Sequence, residues 1–180
     1  ETLKLIEPES LLGKGGYIME RTKKAWINVL FLVITLIINS MGAFGMINGL
    51  SQKDISDKYL TLITPAPFTF GIWSIIYLLL IISMAVMIIK KEDSYYQTAI
   101  DKISNLFIIS CVLNMAWITA FSYLMVELSV LFIFSFLIAL TLICKRLKTI
   151  QKGKRLLLPL TFGIYSGWLL IATVVNIAAA

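Results

Sequence analysis

The side chains with the most scope for chemistry in this sequence are large aromatic residues and amides that lie inside long apolar segments. They occur in three sets, and within each set the members are three or four residues apart, which places them on one face of a helix. The sets are Phe70, Trp73 and Tyr77; Asn114, Trp117 and Phe121; and Tyr165, Trp168, Ala172 and Asn176. Three flat aromatic stripes of this kind suit a large, flat, mostly apolar ligand.

The amides decide which way these stripes face. An amide in hydrocarbon is costly unless it meets a polar partner, so Asn114 and Asn176 are expected to point into the protein with their aromatic neighbours. Such a surface predicts a pocket that orients its ligand by a few hydrogen bonds. The same residues also fit simple packing, because an intramembrane Asn often only joins helices, at about 0.6 kcal/mol. Spacing alone does not decide between a ligand pocket and simple helix packing, and Asn39 is compatible with both. Trp26 is interpreted as an anchor at the membrane interface.

Several kinds of chemistry have little support in the composition. The sequence has no histidine, the commonest metal ligand, the usual axial ligand of haem and the default general base. The two cysteines, Cys111 and Cys144, are isolated in apolar segments and are predicted to be core residues rather than a disulfide or metal site. We therefore predict no catalytic residue, no metal site and no resident cofactor, which favours a protein that is not an enzyme.

The elements that carry these residues follow from the distribution of charge. Only 14% of the residues are charged and 59% are hydrophobic, whereas a soluble domain has about 25% charged residues. Five windows contain no Asp, Glu, Lys or Arg, namely 25–52, 59–89, 103–126, 128–144 and 156–180. About 20 apolar residues cross ~30 Å of hydrocarbon. One helix over 103–144 would run about 63 Å, so the chain must turn near Ser122–Glu127.

The predicted fold is therefore an all-α integral membrane protein, a five-transmembrane-helix bundle over residues 25–180. The helices are expected at about 25–46, 66–89, 103–123, 126–144 and 156–180. Residues 1–24 are interpreted as a cytoplasmic lead-in, and Met19 reads like a natural start, so the residues before it need not belong to the functional unit. The last helix runs to Ala180 with no polar tail, which leaves open whether the natural chain continues.

The basic residues predict the orientation. From Arg21 onward, twelve lie just before the first predicted helix, between the second and third, or between the fourth and fifth, and only Lys53 and Lys58 lie on the other side. The positive-inside rule then puts the N-terminus in the cytoplasm and the C-terminus outside, here in a bacterial cell membrane. The basic loop 145–155 could contact anionic headgroups but is interpreted as a topology signal. The net charge of +6 supports no nucleic-acid partner, because its placement follows the membrane.

Three motifs in order resemble those of the TspO/MBR family, the tryptophan-rich sensory or translocator proteins. Residues 64–77 (TPAPFTFGIWSIIY) resemble its second-helix signature, and residues 113–117 (LNMAW) its third-helix pattern. Tyr165, Trp168, Ala172 and Asn176 match the spacing of its fifth helix. The loop after the first helix looks like that of a longer bacterial branch, and the resemblance covers about 25–180.

This resemblance implies a five-helix bundle whose first loop lies over a pocket, and a porphyrin such as protoporphyrin IX or a haem-like tetrapyrrole as the ligand. Carried over by motif, the ligand-binding residues are Trp73, Tyr77, Asn114, Trp117, Trp168, Ala172 and Asn176. One departure is that Ala66 separates two prolines that are adjacent in shorter members, so the lining near the loop is expected to differ. A homodimer is a possible assembly, supported by the small residues Gly42, Ala43 and Gly45.

The leading hypothesis is a membrane receptor or translocator that binds a flat aromatic hydrophobic ligand between its helices. The alternatives are a light-dependent porphyrin-degrading activity, which has been proposed for the family, and a scaffold or partner subunit without a ligand. Ion-coupled transport is disfavoured, because coupling normally needs an intramembrane Asp, Glu or His and the charge-free windows have none.

Overall fold

The computed structural model describes residues 8–150 and 155–180, with side chains from residue 19 onward in those ranges. Over this part of the chain the regular elements are helices. They are α1 (Pro8–Ala43), α2 (Gln52–Lys58), α3 (Ile72–Ile89), α4 (Ser94–Ser122), α5 (Val126–Lys148) and α6 (Leu157–Ala179), with a 3-10 turn at Pro67–Gly71 before α3. Five of these segments are long and apolar enough to cross a membrane. The predicted all-α, five-span architecture is confirmed.

The ends of the helices follow local chemistry. α4 ends at Ser122 and α5 begins at Val126, so the predicted turn is confirmed, and Leu124 in that turn has a left-handed φ of 61°. Proline lies in the 3-10 turn before α3 and, as Pro159, in the first turn of α6, where its missing N–H has no intrahelical partner to lose. α1 ends before Gly45, whose φ of 69° suits glycine.

Two helices begin earlier than the charge-free windows predicted. α1 starts at Pro8 rather than near residue 25, and α4 starts at Ser94 rather than near residue 103. A charged residue ends an apolar window but need not end a helix, since the helix can extend past the hydrocarbon. In α4 the charged residue Asp101 is accommodated within the helix by its ion pair with Arg21, at 2.8 Å. α4 is also capped by Asp93, which accepts from the Tyr95 N–H at 2.9 Å. The predicted lead-in is thus partly a continuation of α1, and residues 1–7 lie outside the described residues.

The five long helices form a closed ring in the order α1, α3, α6, α5, α4, with α4 returning to α1. Inside the ring, Phe107 and Phe162 meet edge to face at 6.1 Å and both are fully buried. The outward faces carry exposed large apolar side chains, such as Leu131 and Leu170. A surface of this kind is stable when it faces lipid rather than water. The structure therefore describes a multi-span membrane protein.

α1 and α4 run side by side and are joined by polar and small residues. Asn28 donates to the Ser104 Oγ at 2.9 Å, inside the bundle. Near the other end, Gly42 is buried, and a Cβ placed on it would lie 2.8 Å from the Ile118 Cγ1. Gly42 therefore packs against α4 of the same chain, and Gly45 forms the turn after α1. Neither glycine provides the exposed helix surface that was expected to support a dimer. Ala43 is exposed.

The loop between α1 and the 3-10 turn folds over one end of the ring. It contains α2, which begins with a capping box: the Ser51 Oγ accepts from the Asp54 N–H at 3.1 Å, and an Asp54 Oδ2 accepts from the Ser51 N–H at 2.9 Å. These hydrogen bonds from Ser51 hold the pKa of Asp54 below its usual value. Ile55 on α2 is fully buried, and Asn48 donates to the Ser122 carbonyl at 3.3 Å. The loop is thus a docked cover.

Candidate functional site

Five of the seven predicted ligand-binding residues line one cavity between α3, α4 and α6, beneath α2. We call it the tryptophan cavity. Those five are Trp73, Trp117, Trp168, Ala172 and Asn176. The cavity encloses about 590 Å³, including the part that is open to the surroundings. The helical stripes read from the sequence therefore do converge, and they converge at the end of the bundle that the loop covers.

Trp73 is the centre of the aromatic arrangement. Its ring lies 5.9 Å from that of Trp117 at an interplanar angle of 27°, and 6.3 Å from that of Trp168 at 90°. Tyr77 stacks on Trp73 at 5.6 Å, and Tyr165 meets Trp73 edge on at 6.1 Å. A ring inserted between two others needs centroids about 7 Å apart, since stacked carbons prefer about 3.5 Å on each face. A flat ligand must therefore part Trp73 from Trp117 or lie along their exposed faces.

Asn176 fixes the orientation of Trp117. The Trp117 Nε1–H donates to the Asn176 Oδ1 at 2.9 Å, and the Asn176 Nδ2 donates to the Ser129 Oγ at 3.0 Å. The Ser129 hydroxyl also lies within hydrogen-bonding distance of the Val126 carbonyl, at 2.7 Å. The polar edge of Trp117 is thus satisfied by α5 and α6, and its ring stacks against those of Trp73 and Phe121, at 5.9 and 6.0 Å.

Asn114 lies beneath the cavity rather than in its wall. It is fully buried, its Oδ1 accepts from the Asn39 Nδ2 at 2.5 Å, and its Nδ2 donates to the Tyr165 hydroxyl at 3.0 Å. Asn39, which fitted two interpretations, therefore bonds α1 to α4. The amide layer crosses from α1 through α4 to α6 and supports the aromatic residues above it. The structure places Asn114 in a supporting position.

Tyr77 faces a second cavity that shares a wall with the first. This Tyr77 cavity is also lined by Asn39, Ser74, Lys53 and Trp73, so Trp73 separates the two spaces. Lys53 is paired with Asp57 one turn along α2, and that hydrogen bond raises the pKa of Lys53 above its usual value. Gln52 and Phe70 also line both cavities, so the shared wall consists of these two residues and Trp73.

The Trp168 side chain carries the one orphaned polar atom in this aromatic group. Its Nε1 is buried and has no hydrogen-bond partner among the residues that the structure describes. Buried polar atoms are almost always paired, because leaving one unpaired costs about 1–3 kcal/mol. Because the Nε1 atom is enclosed, an acceptor on a ligand can reach it only if the Trp168 ring or its neighbours move.

The sequence analysis missed the part of the cavity that the loop contributes. The loop contributes Gln52, Ser56, Tyr59 and Pro65, and α6 adds Val175 and Ala179, whereas Phe70 and Phe121 belong to the aromatic sets already read from the sequence. The sequence does hold a signal for the first three, because Ser51 followed three residues later by Asp54 is a capping-box pattern and predicts a helix start. Within the described residues, no group of three or more His, Cys, Asp or Glu side chains is placed to hold a metal, and Cys111 and Cys144 are both free.

Comparison with known proteins identifies the family. A family model described as TSPO-like protein matches residues 25–180, which contain every residue of the tryptophan cavity. Neither a curated protein nor a solved structure matches the chain.

Proposed function

Because the chain belongs to the TSPO-like protein family, which points to a membrane receptor or translocator role, we propose that it binds a porphyrin in the tryptophan cavity. The ligand would be protoporphyrin IX or a similar flat, largely apolar tetrapyrrole. The protein holds it by shape and stacking, since the sequence has no histidine to ligate iron. Binding is its role, with passage across or out of the membrane as the consequence.

The observation that carries this proposal is the convergence of three indoles on one cavity, with an unpaired N–H on Trp168. Aromatic pairs contribute about 0.5–1.5 kcal/mol each beyond the area they bury, so three rings supply selectivity for a flat ligand. The Trp168 N–H supplies direction, because it gains a partner only when an acceptor on the ligand, such as a carboxylate or ring nitrogen, reaches it.

Entry would take place at the end covered by α2. The cover contacts the rest of the bundle through Ile55, which is fully buried, and through Asn48, which donates to the Ser122 carbonyl at the end of α4. Release of these contacts would expose Trp73 and let the tryptophan and Tyr77 cavities join around a ligand larger than either. Closure of α2 over the ligand would then exclude water.

We place this end of the bundle outside and the opposite end in the cytoplasm of a bacterial cell. The starts of α1, α4 and α6 meet at the opposite end, as the Arg155–Asp93 pair at 2.6 Å and the Arg21–Asp101 pair show. Basic residues concentrate there, as the positive-inside rule requires of the cytoplasmic side. The cavity would then receive its ligand from the outer side.

The test is a titration of the purified protein in detergent with protoporphyrin IX, followed by the shift of the porphyrin absorbance band. Trp168→Phe keeps a ring but removes the N–H, and it should weaken binding about 2- to 12-fold, the range of a net hydrogen bond of about 0.5–1.5 kcal/mol. Trp26→Phe is the control, because Trp26 does not line the tryptophan cavity, lies towards the opposite end of the bundle and is 57% exposed. Equal affinity of all three proteins would sink the cavity assignment.

The same titration separates the alternatives. If neither protoporphyrin nor any other flat aromatic ligand binds or raises the melting temperature, the protein is a scaffold whose aromatic faces only pack. If the porphyrin band is lost in the light, and Trp73→Phe abolishes that loss, the activity is porphyrin breakdown. Binding that is stable in light and dark supports the receptor or translocator role.

A further inference from the structure

The opposite end of the bundle holds a third cavity, separate from the aromatic site, between α1, α3 and α4. It is lined by Arg21, Thr22, Ala25 and Trp26 from α1, Ile88 from the end of α3, Lys91 from the turn that follows α3, and Gln97 and Ile100 from α4. Its empty space is about 590 Å³, including the open part. The geometry points to a binding site for one anionic phospholipid of the adjacent leaflet, with the headgroup phosphate between Arg21 and Lys91.

The polar side of this Arg21 cavity presents a fixed set of donors. The Arg21 Nε–H donates to an Asp101 Oδ2 at 2.8 Å and an Nη1–H donates to the Gln97 Oε1 at 3.1 Å. These two bonds use two of the five N–H donors of a guanidinium and hold its plane in place. Asp101 balances the charge of Arg21, so the net positive charge comes from Lys91, which is exposed. Arg21 therefore orients the phosphate and Lys91 attracts it.

The apolar side fits the rest of a lipid. Ala25 and Ile100 are buried at the base of the cavity, and Ile88 forms its other wall. Deeper in the membrane the outward faces of α1 and α3 continue as exposed apolar surface, with Leu30 at 56% and Ile81 at 47% exposure. An inorganic anion would use only the donors, whereas a phospholipid would use both the donors and this continuous apolar wall. The combination therefore selects a lipid.

The depth of the cavity agrees with a headgroup. Its residues lie at the ends of membrane-spanning segments, since the first span begins at Met19, the second ends at Ile89 and the third begins at Ser94. Trp26 lies at the rim, where an indole at the interface is usual. Basic cavities between membrane helices at this depth are known to hold anionic headgroups. Phosphatidylglycerol is the simplest lipid with this chemistry.

The experiment uses the full chain in bilayers of unlabelled phosphatidylcholine with a small fraction of lipid brominated near the top of its acyl chains. Bromine quenches nearby indoles, and the Trp26 signal is the difference between the protein and its Trp26→Phe variant. Brominated phosphatidylglycerol should quench Trp26 more than brominated phosphatidylcholine at the same fraction. Lys91→Ala should reduce that preference about fivefold, the effect of roughly 1 kcal/mol per basic residue at a membrane surface.

Lys148→Ala is the matched control, because it removes the same charge at the same end of the bundle from α5, which does not line the cavity. It should leave the preference unchanged. The proposal is overturned if the protein itself shows no preference, or if Lys148→Ala and Lys91→Ala lower it equally, which would mean a diffuse surface charge. It is also overturned if sodium phosphate abolishes the preference while sodium chloride of equal ionic strength does not, which would mean a site for a free anion.

Discussion

The hydrogen bond between Trp117 and Asn176 gives the sharpest test of how the cavity is built. In Asn176→Leu the Trp117 Nε1–H loses its acceptor, while Ser129 keeps its contact with the Val126 carbonyl. The orphaned donor should cost about 1–3 kcal/mol of unfolding free energy. In Trp117→Phe the Asn176 Oδ1 still accepts from the Ser129 Oγ at 3.1 Å, so the loss there is mainly ring contact.

A double-mutant cycle separates the bond from these other effects. Adding Trp117→Phe to Asn176→Leu removes the orphaned donor, so the double variant should be more stable than the sum of the two losses predicts. The coupling should be about 0.6 kcal/mol, the average in membrane bundles, with about 1.7 kcal/mol as the upper end. Unfolding in detergent mixtures, followed by circular dichroism, measures it. The control Ser135→Ala removes an exposed hydroxyl that bonds only within its own helix.

A coupling free energy indistinguishable from zero would refute the assignment of Asn176 as the partner of Trp117. The cycle also bears on binding. If Asn176 holds the ring in place, Asn176→Leu should lower porphyrin affinity, although its own side chain offers no aromatic surface. Unchanged affinity together with a measurable coupling would mean that the orientation of Trp117 does not matter to the ligand.

Two further predictions concern the frame around the site. Gly42→Ala should lower the unfolding free energy by about 1–3 kcal/mol through overpacking, because its Cβ would lie 2.8 Å from the Ile118 side chain, and Ile118→Ala should cost less in that variant than in the unchanged protein. Gly163→Ala is the control, because a Cβ there has nothing within 4 Å. Equal losses in the melting temperature for the two glycine variants would contradict the packing. Hydrogen bonds from the Tyr95 N–H and from Arg155 lower the pKa of the Asp93 carboxyl below its ordinary value of 3.8. The ionised Asp93 therefore stabilises the fold at pH values above 3.8, and this stabilisation is lost as the pH falls through the lowered pKa. Asp93→Asn, which still caps, should lack this loss in melting curves measured against pH, and an unchanged profile would argue against the charge effect.

The spans were predictable because hydrocarbon excludes unpaired charge, so the sequence must leave long windows free of it. The same reasoning misplaced the start of α4, since Asp101 finds a partner in Arg21, 80 residues earlier in the chain. It also overlooked α2, which is polar and short and is specified by the capping box at Ser51 rather than by apolar spacing. Charge patterns locate what lies in lipid and say little about what lies beyond it.

The aromatic part of the site was predictable for a similar reason, because spacing along a helix determines which residues share a face. The role of Asn114 was not, since it depends on which partners α1 and α6 bring within reach. Asn39 donates to the side-chain carbonyl of Asn114, and the Tyr165 hydroxyl accepts from the amino group of Asn114. No local sequence pattern around Asn114 predicts either partner. Partner choice for a buried amide is a property of the packed bundle.

The most direct test of the central claim is the fraction of tryptophan fluorescence that saturating protoporphyrin IX quenches in the protein and in Trp26→Phe. Of the four tryptophans, Trp73, Trp117 and Trp168 line the cavity, and Trp26 lies at the other end of the bundle. If the porphyrin binds among the three indoles, removal of Trp26 raises the quenched fraction. If the fraction falls instead, the porphyrin lies nearer to Trp26, and the tryptophan cavity is not its site.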